Sequence, residues 1–191
     1  SKITSAKQLK GATVCVQSGT TTEKNLTDFS KAAGLALKSV VFETQEATNK
    51  AYFAGRCQAY TTDASGLASV RNKEAGNPED HVILPELISK EPLGPAVRRG
   101  DDEFFTIVKW VVFALVEAEE YGLTQENVDA QRAKSTDPVV QRILGTSEDT
   151  GKLLGLDKDW AYRPIKAVGN YGEIFDRNVG PKSALKLPRG A

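Results

Sequence analysis

Two short stretches hold residue types suited to gripping a small charged molecule. Gln17-Ser18-Gly19-Thr20-Thr21-Thr22 follows a β-branched run and opens a helix. The first amides of a helix have no intrahelical acceptor, so with threonine hydroxyls beside them they can hold an anion such as a carboxylate. Asp63 follows another strand-like run and opens the next helix, where its carboxylate can hold a cation. If those strands are neighbours, as in a 2-1-3 order, both features face the crevice beyond the carboxyl ends of a parallel sheet. An anion holder close to a cation holder matches the part common to every free α-amino acid. Each feature also has a plainer reading. A Ser-Gly-Thr turn needs no ligand, and Asp is a common helix N-cap. His81 reads as structural, Trp110 and the neighbouring phenylalanines as core, and Arg98 to Glu103 as a solvated turn.

The elements that must position these residues alternate over the first ninety positions. Ala12 to Gln17 reads as a strand, and Thr20 to Ala33 as a helix opened by Thr20-Thr21-Thr22-Glu23, the capping-box spacing. Leu37 to Phe42 is a second strand, and Gln45 to Ala54 a helix closed by Gly55. Cys57 to Thr62, Ala64 to Glu74 and His81 to Leu84 continue as strand, helix and strand. Such alternation with short links predicts an α/β fold with a parallel sheet. The pattern then changes. Leu93 to Val97 is expected to be a short strand in a Pro-rich setting (Pro92, Pro95), and Asp101-Asp102 to open a helix reaching about Tyr121, stopped by Gly122. Its apolar stripe (Phe104, Ile107, Val108, Val111, Leu115, Ala118) is widened by Phe105, Trp110, Val112, Phe113 and Val116, so the helix calls for partners on several sides. Short helical pieces follow to Asn178, and Gly180 to Ala191 reads as a surface arm.

Composition narrows the function. The chain has 191 residues, 40% of them hydrophobic and 26% charged, which is globular composition. Its 25 Lys and Arg balance 25 Asp and Glu, so no global basic field favours nucleic acid as a partner. No apolar run reaches the roughly 20 residues of a membrane span. One His and two Cys, neither cysteine in a CxxC pair, are too few for a Cys/His zinc site. Cys15 and Cys57 are either buried thiols or one disulfide. The chain starts at Ser1 and has no Met, from which something upstream is expected to have been removed.

The arrangement resembles the family-3 solute-binding proteins, the polar-amino-acid receptors of ABC importers. Leu9-Lys10-Gly11-Ala12-Thr13-Val14-Cys15-Val16-Gln17-Ser18-Gly19-Thr20 is similar to the segment that begins their second lobe. Gly55-Arg56-Cys57-Gln58-Ala59-Tyr60-Thr61-Thr62-Asp63 resembles their segment leading into a strand that ends in Asp. Pro92-Leu93-Gly94-Pro95-Ala96-Val97-Arg98-Arg99-Gly100-Asp101 resembles the return to lobe one. With Cys15, Cys57 and Val168-Gly169-Asn170-Tyr171-Gly172-Glu173-Ile174-Phe175, the likeness narrows to the general L-amino-acid-binding subgroup.

The resemblance implies a type II periplasmic-binding-protein fold with no cofactor and no catalytic residues. Residues 1–91 would form the second lobe, and residues 92–191 the returning, mostly helical part of lobe one. Thr20, Thr21 and Thr22 would belong to the ligand site, the last two holding the ligand carboxylate. Asp63 would hold the ammonium, and Gln17 and Thr62 would line the side-chain region. A periplasmic location makes a Cys15–Cys57 disulfide the expected state of the cysteines. The implied partners are a free L-amino acid, an inner-membrane ABC permease, and either an N-terminal half of lobe one or a second copy of the chain. The resemblance would place the family's aromatic clamp and carboxylate-binding arginine in that N-terminal half of lobe one. A dehydratase-like periplasmic enzyme and a sensory ligand-binding module are the alternatives on the same fold.

Overall fold

The computed structural model describes residues 3–189. They form two compact units that divide between Pro92 and Leu93. In the first unit, β1 (Thr13–Gln17), α1 (Thr21–Ala32), β2 (Lys38–Phe42), α2 (Gln45–Phe53), β3 (Ala59–Tyr60) and α3 (Ala64–Glu74) alternate along the chain. The strands lie parallel in the order β2-β1-β3. β1 is the middle strand, and its period of two divides the core. Val14 and Val16 pack with Leu26 of α1 on one face. Cys15 points to the other, with Ala51 of α2, Cys57, Val40, Phe42, Tyr52 and Tyr60. Cover on both faces is why this strand reads as a continuous apolar run.

Local signals set the helix ends. The Thr20 and Thr44 hydroxyls each accept an amide at 3.2 Å, from Glu23 and Ala47. Gly55 follows α2 at φ 74°, a left-handed conformation that side chains disfavour.

Three strand expectations change. The third strand spans Ala59–Tyr60, not Cys57 to Thr62. Its ladder is framed by bonds from the Gln58 amide to the Thr13 carbonyl (3.0 Å) and from the Thr61 amide to the Cys15 carbonyl (3.2 Å). His81 to Leu84 is not a strand. Its start is held by side chains instead: Tyr52 Oη lies 2.9 Å from His81 Nδ1, and Arg71 donates to the His81 carbonyl at 3.4 Å. His81 thus has the structural contacts expected of it. Leu93 to Val97 is also irregular. Pro95 brings no amide donor to a ladder, and Leu93 is 74% exposed.

The second unit consists of helices. α4 (Asp102–Glu120), α5 (Val128–Lys134), α6 (Pro138–Ile143), α7 (Tyr162–Val168) and α8 (Tyr171–Asn178) surround a core of Ala114, Ala118, Leu123, Val128, Leu144 and Ile165. Asp101 caps α4 by accepting the Phe104 amide at 3.0 Å. Buried Asn170 caps α8 reciprocally with Glu173 and donates to the Leu123 carbonyl at 2.7 Å. The aromatic residues of α4 differ from expectation. Phe104, Phe105, Trp110 and Phe113 are about half exposed, because α4 buries its alanine stripe in this core. The segment from Gly180 to Arg189 runs over the surface and is docked there. The Leu187 amide reaches the Val179 carbonyl at 3.0 Å, and Arg189 pairs with Glu119 beside the Tyr171 ring. Gly190 and Ala191 lie outside the described residues.

Candidate functional site

Parallel pairing brings the loops after β1, β2 and β3 to one edge of the sheet. β1 and β2 end together, with Gln17 opposite Phe42, and the Ser18 amide donates to the Phe42 carbonyl at 2.8 Å. On the other side Cys15 pairs with Tyr60, so the chain leaves β3 at Thr61-Thr62-Asp63 next to the end of β1. Adjacent strands run about 4.8 Å apart. The turn 18–20 and the turn 61–63 therefore leave from neighbouring strands at the same edge.

The first turn is tightly bonded internally. Thr20 Oγ1 donates to the Gln17 carbonyl at 2.8 Å and accepts the Glu23 amide at 3.2 Å. Glu23 accepts the Gly19 amide at 2.9 Å. The hydroxyl of Thr20 is thus engaged in building the turn. The amides of Thr21 and Thr22, first in the helix, have no acceptor among the described residues, and Thr21 is exposed. Gln17 Nε2 makes one long contact, 3.4 Å, to the Glu43 carbonyl.

The second turn is built differently. Asp63 occupies the N-cap of α3, but its side chain makes no cap hydrogen bond, and it is exposed. An N-cap Asp ordinarily turns its carboxylate onto the second or third amide of its helix. Here only the Asp63 carbonyl enters the helix, accepting the Leu67 amide at 2.8 Å. Thr62, half-buried, stands over Gly66.

Behind β3 lies a brace that the sequence reading missed. Tyr60 Oη donates to Asn49 Oδ1 at 2.9 Å, and Asn49 Nδ2 donates to Glu74 Oε1 at 2.8 Å, joining β3 to α2 and α3. Burial first, and then the negative Glu74, raise the Tyr60 phenol above its ordinary value, so it stays a neutral donor. The available signal was Thr48-Asn49, two polar residues on the inward face of an amphipathic helix.

Two shallow grooves lie on the flanks of this unit. One of about 520 Å³ is lined by Leu26, Ser30, Leu37 and Ser39, and one of about 310 Å³ by Gln45, Asn49, Val70 and Glu74. The candidate residues line neither groove and lie on the edge beyond β1 and β3: hydrogen-bond donors at Thr21 and Thr22, a carboxylate at Asp63 with no cap bond, and polar side chains at Gln17, which ends β1, and at Thr62, next to Asp63.

No family model matches the chain. It is 56% identical over 190 residues to the general L-amino acid-binding periplasmic protein AapJ of Rhizobium johnstonii, covering 98% of this chain and 55% of that protein. It is 50% identical over 188 residues to the glutamate/glutamine/aspartate/asparagine-binding protein BztA of Rhodobacter capsulatus, covering 98% and 55%. A solved periplasmic binding protein from Brucella ovis, with glutathione bound, superposes with a TM-score of 0.87 at 55% identity, over 98% of this chain and 59% of that one. The chain spans about half the length of the curated relatives it matches.

Proposed function

We propose that this chain, whose homologues are amino-acid-binding periplasmic proteins of ABC transporters and which shares their periplasmic-binding-protein fold, supplies one wall of a cleft that captures free L-amino acids. The Thr21 and Thr22 amides receive the ligand carboxylate at the positive end of α1. Asp63 receives the ammonium, and Gln17 and Thr62 face the variable side chain. The other wall comes from the length of the relatives that this chain does not span, and the same material covers the exposed aromatic residues of α4. The loaded protein then closes and delivers its ligand, in the periplasm, to a membrane permease. Its homologues are binding proteins and not enzymes. We read Asp63 as a counter-ion to the ligand ammonium.

The observation that carries this reading is the unused carboxylate of Asp63, an N-cap residue that does not cap. Asp63→Asn in the complete protein, titrated with L-glutamine in a calorimeter, is expected to lose about 3 kcal/mol of binding, because a buried ammonium loses its charged partner. The far-UV spectrum stays the same. Unchanged affinity removes Asp63 from the site. The glutathione held by the Brucella ovis relative favours a second reading of the ligand class. A γ-glutamyl peptide has the same ammonium and α-carboxylate, so a parallel titration with glutathione separates a receptor for amino acids alone from one that also takes γ-glutamyl peptides.

A further inference from the structure

The Asp63 side chain makes no cap bond and no other hydrogen bond among the described residues, so its position depends on the backbone that delivers it. That backbone is a strand of two residues, Ala59–Tyr60, too short to hold itself by ladder bonds alone. It is tied to a single residue of the central strand, Cys15, by one covalent bond and by one ladder pairing. The Cys15 sulfur is bonded to Cys57, just before β3, with the two Cα atoms 5.6 Å apart. The Cys15 backbone pairs with Tyr60 within β3. The Cys15 carbonyl accepts the Thr61 amide just after it, at 3.2 Å. Cys15 is fully buried and Cys57 nearly so, packed with Ala51, Tyr52 and Tyr60, so this anchor sits inside the core of the unit.

We propose that the Cys15–Cys57 disulfide is a positioning element of the ligand site, holding the segment 57–61 against β1 so that the carboxylate of Asp63 meets the ligand ammonium. Without the covalent bond, the short strand keeps its ladder partners but loses its fixed entry point, and Asp63 samples a wider arc. Preorganisation is lost where a charged contact needs it most. This inference rests on Asp63 being the ammonium ligand.

A double-mutant cycle in the complete protein tests it, with L-glutamine affinity as the readout: wild type, Cys15→Ala/Cys57→Ala, Asp63→Asn, and the triple variant. Removing the disulfide is expected to weaken binding about tenfold when Asp63 is present, and by less than about twofold when Asn stands there. Equal losses in the two backgrounds mean that the disulfide is a general staple, and they overturn the proposal. Unchanged affinity in Asp63→Asn alone sinks the site reading and this inference with it. A strong effect of Asp63→Asn with additive disulfide loss sinks this inference only. Should the alanine pair fail to fold, the same comparison is made on folded wild-type and Asp63→Asn proteins after reduction with dithiothreitol, the free thiols counted and the far-UV spectrum recorded.

Discussion

Glu23 reaches back past the N-cap to the amide of Gly19, 2.9 Å away, and not to that of Thr20. The capping box read from Thr20-Thr21-Thr22-Glu23 is thus displaced by one residue on its return bond. Meanwhile Thr20 Oγ1 bridges the Gln17 carbonyl and the Glu23 amide. The Gly19 amide and the Thr20 hydroxyl are bonded, whereas the amides of Thr20, Thr21 and Thr22 have no acceptor among the described residues. Thr20→Ala is therefore expected to cost about 1 kcal/mol of stability in urea unfolding, the usual loss for an N-cap hydroxyl. Thr21→Ala, which removes no bonded hydroxyl, leaves the midpoint nearly unchanged. Equal midpoints for the two variants would show that Thr20 is not the cap.

Much of this edge was legible because its signals are local. β1 and β2 are β-branched runs ended by Gly or by a capping threonine, and α3 runs over the predicted residues Ala64–Glu74. The two strands that failed, 81–84 and 93–97, failed for a non-local reason. A short apolar run becomes a strand only where a partner strand offers its ladder, and sequence pattern does not report the partner. His81 found side-chain partners instead, and Leu93 found none among the described residues. Trp110 and Phe113 read as core by composition, yet they stand about half exposed. At the site, residue types were legible but bonding was not: neither the engagement of Thr20 nor the freedom of Asp63 follows from spacing.

The Cys15–Cys57 disulfide closes a loop with a sequence separation of 42. In the chain-entropy account such a crosslink stabilises the fold by about 4 kcal/mol. Maleimide is expected to label neither cysteine in denatured, unreduced protein, and both after reduction. Reduction should also lower the urea midpoint of the first unit. Labelling of two thiols without reductant would contradict the bond.

Asp129 links α5 to α7, accepting from Tyr162 Oη at 2.6 Å and from Lys166 Nζ at 3.0 Å. The Tyr162 hydroxyl, and then the Lys166 ammonium, hold its carboxyl below the usual carboxylate range. A folded value lowered below the unfolded one adds stability that is present above the unfolded value, near pH 4, and is lost as pH falls through the folded value. The group is exposed, so the effect is small and screened by salt. The thermal midpoint of wild type should exceed that of Asp129→Asn at pH 7, and the gap should close toward pH 3. A gap that widens on acidification would reverse the assigned sign.

The last prediction concerns the 191-residue polypeptide by itself. The Thr21 and Thr22 amides and the Asp63 carboxylate stand on an open edge, where water screens each contact with a ligand. Charged contacts exposed in this way contribute about 1 kcal/mol each at most. Immobilising a ligand costs at least about 4 kcal/mol, so little net binding remains. The polypeptide alone is expected to bind L-glutamine no better than about millimolar, a free energy near −4 kcal/mol. Phe104, Phe105, Trp110 and Phe113 also leave much apolar surface on α4 exposed to water. Exposed aromatic surface of this kind drives association, so the polypeptide should self-associate in sedimentation velocity or co-purify with a polypeptide that covers α4. Both expectations follow from the proposed second wall, supplied by the part of the relatives' length that this chain does not span. Adding that part should abolish self-association and restore ligand binding together. A monodisperse monomer of the 191 residues that binds L-glutamine at micromolar affinity would show that this edge forms a complete site without a second wall.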